Sequence, residues 1–595
     1  VLSLKDFSNE KIIWIHCQAK WNHSAQIWNN NVFLSEPVQN IKSSFSYIQL
    51  ESLEDLEWDN AAHVFFQSLT AKNSSWPLHV FVTPKTHKPF LLIPALNQEA
   101  FVKVLYDMNQ VFQLDSDFFN EDSVELYDSC KHKDPMGFEF EKNSQTASSQ
   151  SPVSEPIQKI IEQTSSSYLI PLAQSLDFET GLIGSAGAYL SAAAYGLIDE
   201  LAQKETLGQV SLSEVALTRM CRGPIYDVIG GGFFRFYNKD SGDIECDKLL
   251  HQNAEMLWVL TDIVSKTKSP FLEQVATEIL ASMMSDFYDP QARNLYVSLR
   301  APTEYYQFRA SDFIEALPAA QRMPSQKFFG ITQQPQVPRI TLDLVELAKE
   351  IKLASFNVDF APADIKNSLL DSQKLLRIHR SLRSGLAKVS GGTGLGWAQA
   401  FALSSVFRAF RKLRLDRASF ETTAFKVYET ISALQPASDR ERLCFSLLQL
   451  EYCRYKKTSL ANLPNDQSFV VNRMDEASLC LREYWNSDSK RKELFYERDD
   501  FYDHLGFSRH TLSLLLFHSL QRLSGSGFTK NGAEKSSESK LHELAKHRVL
   551  LSLNKCRRLG ISAISQFWAT KRAFSDELST ISENDHTRLY HSDVF

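Results

Sequence analysis

Residues 223–255 read GPIYDVIGGGFFRFYNKDSGDIECDKLLHQNAE, and this stretch sets the reading of the whole chain. Three consecutive glycines, Gly230 to Gly232, lie between Ile225-Tyr226-Asp227 and Phe233-Phe234-Arg235-Phe236. Backbone without side chains, flanked by aromatic residues, suits a tight turn that passes close to a pocket. A helical pattern opens after Asp247-Lys248, with Leu250, Ala254, Leu257 and Leu260 at helical spacing.

The same periodicity continues outward. The i, i+3, i+4 spacing of apolar residues predicts helices over 188–202, 213–221, 249–265, 271–287, 342–351, 397–413, 420–434, 440–455 and 509–523. Gly391 to Gly396 looks like a phosphate loop, but no Gly-Lys-Ser/Thr follows and no strand precedes it, so it reads as a hairpin connection. Residues 524–540, rich in Ser, Gly and Lys, read as a disordered insertion, and 575–595 as a polar tail. Upstream, Ile12–Ile15, Ser46–Leu50, Leu78–Val82 and Pro89–Ile93 predict strands, and 97–112 predicts a helix. That is a small α/β domain. Asn143 to Pro156, NSQTASSQSPVSEP, reads as a flexible linker between it and the helical part. The expected organisation is an α/β domain over 1–130, a linker over 131–157, a helical domain over 158–525, and an insertion, terminal helix and tail over 526–595.

A chain of 595 residues exceeds one ordinary core, in keeping with two domains. Hydrophobic content of 43% and charged content of 23% are ordinary for a globular protein, and the net charge of −7 with no dominant basic patch argues against nucleic acid. The longest uncharged apolar run, Ala186 to Ile198, is shorter than the ~20 residues of a membrane span, and Val1 to Glu10 carries no signal-peptide pattern. No two of the eight cysteines (17, 130, 221, 246, 444, 453, 480 and 556) form Cys-x-x-Cys, and no Cys/His spacing fits zinc. Scattered single thiols read as buried and reduced. The expectation is a cytoplasmic protein with no metal, no cofactor, no membrane and no nucleic-acid partner.

The order of residues in 223–255 resembles one family: the YyaL-like, or spermatogenesis-associated, proteins, where it runs roughly GGIYDxxGGGFHRY and then PHFEKMLYDNA. The resemblance covers about Lys11 to Gly525 with gaps. It implies a multidomain protein: an α/β thioredoxin-like domain followed by an all-α (α/α)6 toroid, similar to sugar epimerases and six-hairpin glycosidases.

The resemblance also marks what is missing. The family's KPIFLSIGYSTCHWCHVM corresponds to Lys11–Trp28, KIIWIHCQAKWNHSAQIW, where the two cysteine positions fall on Asn22 and Ala25. A dithiol cycle needs both thiols, one of them activated at a helix N-terminus. His23 survives between them, and Cys17 sits about five residues too early, where a small buried side chain is expected. Ser75-Trp76-Pro77-Leu78 resembles GWPM, which makes Pro77 the expected cis-proline beside the degenerate redox loop.

In the helical half the family's polar groups are carried over unevenly. Its first His is Phe234, while Arg235 is kept. Its HFEK run is Glu245-Cys246-Asp247-Lys248, and its LYDN Asp is Gln252 beside a kept Asn253. Its Trp-Asn pair is Trp397-Ala398, and its late motif begins as Arg498-Asp499-Asp500-Phe501-Tyr502-Asp503. The resemblance therefore names Asp247, Arg235, Asp500 and Asp503 as catalytic candidates. It names Tyr226, Asp227, Gly231, Phe234, Lys248, Asn253, Trp397 and Tyr502 as pocket candidates. Two carboxylates with separated pKa values and an aromatic platform would serve a sugar-like small molecule. The lost groups favour a redox-inactive, non-catalytic binding or scaffold protein, a pseudoenzyme. The alternative is an epimerase- or glycosidase-like enzyme or binder of carbohydrate metabolism.

Overall fold

The computed structural model of the chain describes residues 10–70, 74–130, 172–183, 187–189, 191–202, 211–354, 361–389, 396–415, 418–459, 467–486, 507–524 and 564–575, with isolated residues between. The N-terminal part is built on four strands: β1 (Ile13–Gln18), β2 (Ser46–Glu51), β3 (Leu78–Val82) and β4 (Pro89–Pro94). Their order is β2-β1-β3-β4, with β1 parallel to β2 and antiparallel to β3, and β3 antiparallel to β4. Because successive side chains leave a strand on opposite faces, central β1 feeds two cores. Ile13, Ile15 and Cys17 pack with α3 (Leu56–Thr70) and α5 (Ser116–Cys130). Trp14, on the other face, packs with α2 (Glu36–Lys42) and α4 (Gln98–Leu114). The short α1 (His23–Trp28) leaves the end of β1.

The rest is mainly helical. Twelve-residue α17 (Ile564–Ser575) and five longer or comparable helices form one system: α6 (Ala192–Ala202), α8 (Leu250–Thr267), α12 (Gly396–Lys412), α14 (Asp439–Ser459) and α16 (Arg509–Ser524). Each packs on the next, α6 on α8, α8 on α12, α12 on α14, α14 on α16, α16 on α17, and α17 returns to α6. Between them in sequence lie α7 (Leu212–Arg222), α9 (Pro270–Ser285), α10 (Leu344–Ala354), α11 (Pro362–Ser381), α13 (Ala418–Ser432) and α15 (Gln467–Asn486). Of these, α7 packs on α6, α9 on α8, α13 on α12, and α15 on both α14 and α16.

The two sets bury themselves differently. Every residue of α8 from Leu250 to Val264 is buried, as is every residue of α12 from Gly396 to Phe410. In contrast, α13 buries only Ala424, Val427 and Ile431, a single stripe. A helix enclosed on all sides and a helix with one apolar stripe are the expected partners in a two-layer helical assembly.

Nine of the helices predicted from spacing are present, with one displaced start. Residues 188–189, expected to be helical, belong instead to β5 (Gly187–Tyr189), which pairs with β6 (Phe236–Asn238), so α6 begins only at Ala192. Pairing to a neighbouring strand overrides local helical preference here. Further short strands, β7 (Ile244–Glu245), β8 (Lys248–Leu249), β9 (Ser298–Arg300) and β10 (Ala387–Val389), frame the glycine-centred stretch. The helix α17 lies in the segment read as terminal, yet it fits between α16 and α6. Residues 131–157, the linker, lie outside the described residues, as do 525–540.

Candidate functional site

The glycine turn is held by one buried carboxylate. Asp227 Oδ1 accepts from the backbone N–H of Ile229 (3.1 Å) and Gly230 (3.0 Å) and from Arg380 Nη1 (2.9 Å). Its Oδ2 accepts from Lys248 Nζ at 2.6 Å, and the same ammonium donates to the Gly231 carbonyl at 2.7 Å. These two cations hold the Asp227 carboxyl well below the usual range, against the opposing effect of burial. The backbone requires glycine at position 231, and a side chain crowds position 230. Gly231 has φ +77°, and a Cβ there would lie 2.5 Å from the Glu278 carbonyl oxygen; a Cβ on Gly230 would lie 2.1 Å from Arg380 Nη2.

Asn253 ties the turn to α8, accepting from Phe233 N (2.7 Å) and donating to the Leu249 carbonyl (2.9 Å). Tyr226 donates to Glu278 Oε2 at 2.6 Å. Phe234 is fully buried with Cys246, Ala301, Tyr305 and Tyr306. The Lys248 ammonium lies 5.4 Å from its ring centroid and 5.3 Å from that of Tyr306. Tyr226, Asp227, Gly231, Phe234, Lys248 and Asn253 are thus brought together, and all are enclosed rather than lining an open mouth.

Arg235 and Asp247 face the N-terminal domain. The side chain of Arg235 pairs with Glu245, while its backbone N–H donates to the Asp247 carbonyl at 3.0 Å. Its guanidinium lies 5.0 Å from the Trp21 ring centroid and 4.6 Å from that of Trp76, and the two indoles meet edge to face at 5.0 Å. Cation–π contact of a desolvated guanidinium is worth about 2 kcal/mol, and each enclosed indole adds roughly 1.5–3 kcal/mol.

The loop between β1 and α1 supplies the other side of this junction. Lys20 N donates to Glu51 Oε1 (2.9 Å), and Trp21 Nε1 donates to Ser52 Oγ (2.5 Å). Asn22 caps α1 by accepting from Ala25 N (2.7 Å), which gives its amide a structural task. Its Nδ2 also donates to Glu245 Oε2 (3.2 Å). The backbone N–H of His23 donates to Asp247 Oδ2 (3.1 Å), and Arg300 donates to the Lys20 carbonyl. Ala25 is buried, and the Trp76–Pro77 bond is cis.

Burial pushes the Asp247 carboxyl up to about 7; hydrogen bonds from the backbone of His23 and Ala301 and the charge of Arg235 oppose the rise, and Glu245 adds to it. Burial likewise raises Glu51 to about 8. The Cys17 thiol is raised well above its ordinary value, first by burial and then by Asp59 and Asp55, so it holds no thiolate near neutrality.

Trp397 is buried beside His251, with ring centroids 5.2 Å apart, and lies 5.2 Å from the Arg440 guanidinium. Below it the six-helix system is filled by rings: Trp258 stacks on Phe401 (5.7 Å), Phe401 meets Phe507 (5.6 Å), and Phe507 meets Trp568 (5.7 Å). Asp500, Tyr502 and Asp503 lie outside the described residues. Sequence reading missed Arg380 and Glu278, which complete the glycine clamp, and the partnership of Trp21 with Arg235; Glu278 and Arg235 are single charges among mostly apolar neighbours, whereas Arg380 is hidden in the basic run Arg377 to Arg383. Among the described residues, Asp312, Glu315 and His379 have metal-like proximity, within 4.8 Å. Arg383 already pairs with Asp312 at 3.2 Å, so a guanidinium takes the place a cation would fill.

No protein-family model matches the chain, and no curated protein sequence matches it. Among the described residues, no helix is long and apolar enough to cross a membrane.

Proposed function

We propose that the chain is a diverged, redox-inactive member of the YyaL-like kind, with a thioredoxin-like domain and an (α/α)6 toroid, and that it acts as a non-catalytic binding or scaffold protein. The toroid reading is supported by the closed cycle of contacts from α6 through α17 and by the alternation of enclosed and one-sided helices. The functional reading is carried by one observation: both degenerate sites are spent on each other. Asn22 and His23 bond to Glu245 and Asp247, and Arg235 is enclosed by Trp21 and Trp76. Groups so engaged hold two domains together and leave little for a substrate.

A second reading, a sugar-directed enzyme or binder, draws on Asp247. A carboxyl titrating near 7 suits a general acid. A thermal-shift screen with sugars and sugar phosphates, repeated on Asp247→Ala, separates the two. No ligand-induced shift is expected in either protein. A hit abolished by the substitution, or turnover of a sugar, would replace the scaffold reading with the enzyme one. Disulfide reduction lost in Cys17→Ser would overturn redox inactivity.

A further inference from the structure

At the opposite end of the enclosed helices, four cations share two carboxylates. Asp262 of α8 pairs with Arg408 (2.5 Å) and Lys412 (2.7 Å) of α12. Glu451 of α14 pairs with Arg454 (2.7 Å), Arg411 (3.3 Å) and Arg408 (3.7 Å). Two positive charges are therefore left over among these six residues; Arg572 of α17 joins Asp262 at 2.6 Å and brings its own carboxylate neighbour, Glu200, at 3.9 Å, which leaves that excess unchanged. Arg408, Asp262 and Glu451 are almost wholly buried, whereas the side chains of Arg454, Arg411 and Lys412 are 11%, 14% and 23% exposed, so the cluster reaches solvent through these three cations.

Donors remain unused there: Nε of Arg408 and Nε of Arg411 are buried without a hydrogen-bond partner. Such N–H groups are costly to leave unpaired. The crowding also acts on the cations themselves. Burial and the neighbouring Arg572 and Arg411 lower Arg408 to about 10, against the pull of Asp262 and Glu451, and Lys412 is lowered well below its ordinary value, chiefly by burial.

We infer that this end of the helical domain binds a compact multivalent oxyanion of the phosphate type, received by Arg411, Lys412 and Arg454 at the solvent side of the Arg408 cluster. Guanidinium forks match phosphate oxygens bidentately, and an ammonium supplies a point charge. The inference is independent of the toroid and scaffold readings. A competing role exists for the same cations. Asp262, Arg408, Arg411 and Lys412 lie near the C-terminal ends of α8 and α12, where positive charge offsets the helix macrodipole. Neutralising helix ends requires no added anion.

The test is a calorimetric and thermal-melt titration of the full chain with inorganic phosphate, against chloride at matched ionic strength because screening acts on both alike. Glycerol 3-phosphate in a parallel arm distinguishes free phosphate from a phosphate ester. A saturable heat and a rise in melting temperature specific to phosphate or its ester are expected. Arg411→Gln and Lys412→Gln should each weaken binding about tenfold while melting as the wild type does in chloride. Equal shifts in chloride, no heat of binding, or unchanged affinity in both variants would overturn the site. If a variant fails to fold, the wild-type titration alone decides by the same criteria.

Discussion

Asp227 and Asp247 stand twenty positions apart around one turn, and both are 2% exposed, yet burial leaves them in opposite states. Asp227 meets two cations and two backbone donors and stays ionised far below neutrality. Asp247 has an oxygen, Oδ1, without a hydrogen-bond partner, and Glu245 beside it, and its carboxyl is pushed up to about 7. Depth alone does not set a carboxylate's charge; the partners waiting at that depth do. The inner turn of the helical half is a finished ion cluster, whereas the junction with the N-terminal domain retains a titratable edge.

The comparison can be broken most forcefully at its satisfied member. Asp227→Asn leaves Lys248 and Arg380 buried around a neutral amide and should cost about 3–5 kcal/mol, read from the urea midpoint. Gly231→Ala attacks the same clamp through the backbone. With φ +77° and the Glu278 carbonyl 2.5 Å from the new Cβ, it should cost about 2–4 kcal/mol by the same measurement.

Asp247→Asn should go the other way. A carboxyl whose folded pKa is raised gives its full stability below the unfolded value near 3.8 and loses it as pH rises through about 7. The variant should therefore melt like the wild type near pH 3, pull ahead of it as pH rises from about 4 to 7, and be more stable by about 2–4 kcal/mol at pH 8. A variant less stable at pH 8 would show that Asp247 is needed ionised. Glu245→Gln acts on the titration most directly. It removes the like charge beside Asp247, so the midpoint of the pH-dependent melting change should fall below 7, and because it also strips the enclosed Arg235 guanidinium of its half-buried carboxylate, stability should fall by about 1–3 kcal/mol.

Much of the architecture was readable because it rests on local periodicity. The four strands of the N-terminal sheet and the long enclosed helices announce themselves by apolar spacing, as in Leu250, Ala254 and Leu257. The helix α11 did not, because its buried set includes Ser372 and Arg380 beside Leu369 and Leu376. The candidate site was legible as a turn and not as a network. Gly230 to Gly232 signal close approach in any sequence, but the side chain that a Cβ on Gly230 would displace belongs to Arg380, 150 positions away. The partnership of Asn22 with Glu245 and of His23 with Asp247 spans two domains, which no spacing rule reaches.

The placement of α17 has a consequence in time as well as in space. Its Trp568 packs into the notch left by Gly196 of α6, where a Cβ would lie 2.6 Å from the indole nitrogen, and it joins α6 to α16. During synthesis the chain emerges from its N-terminal end, so the first helix of the cycle waits through more than half the polypeptide for its last neighbour. Until residues 564–575 leave the ribosome, the flanks of α6 and α16 that they cover stay uncovered. A frameshift or early stop between Arg380 and that point would deliver an open-sided product with every described part of the glycine clamp already made.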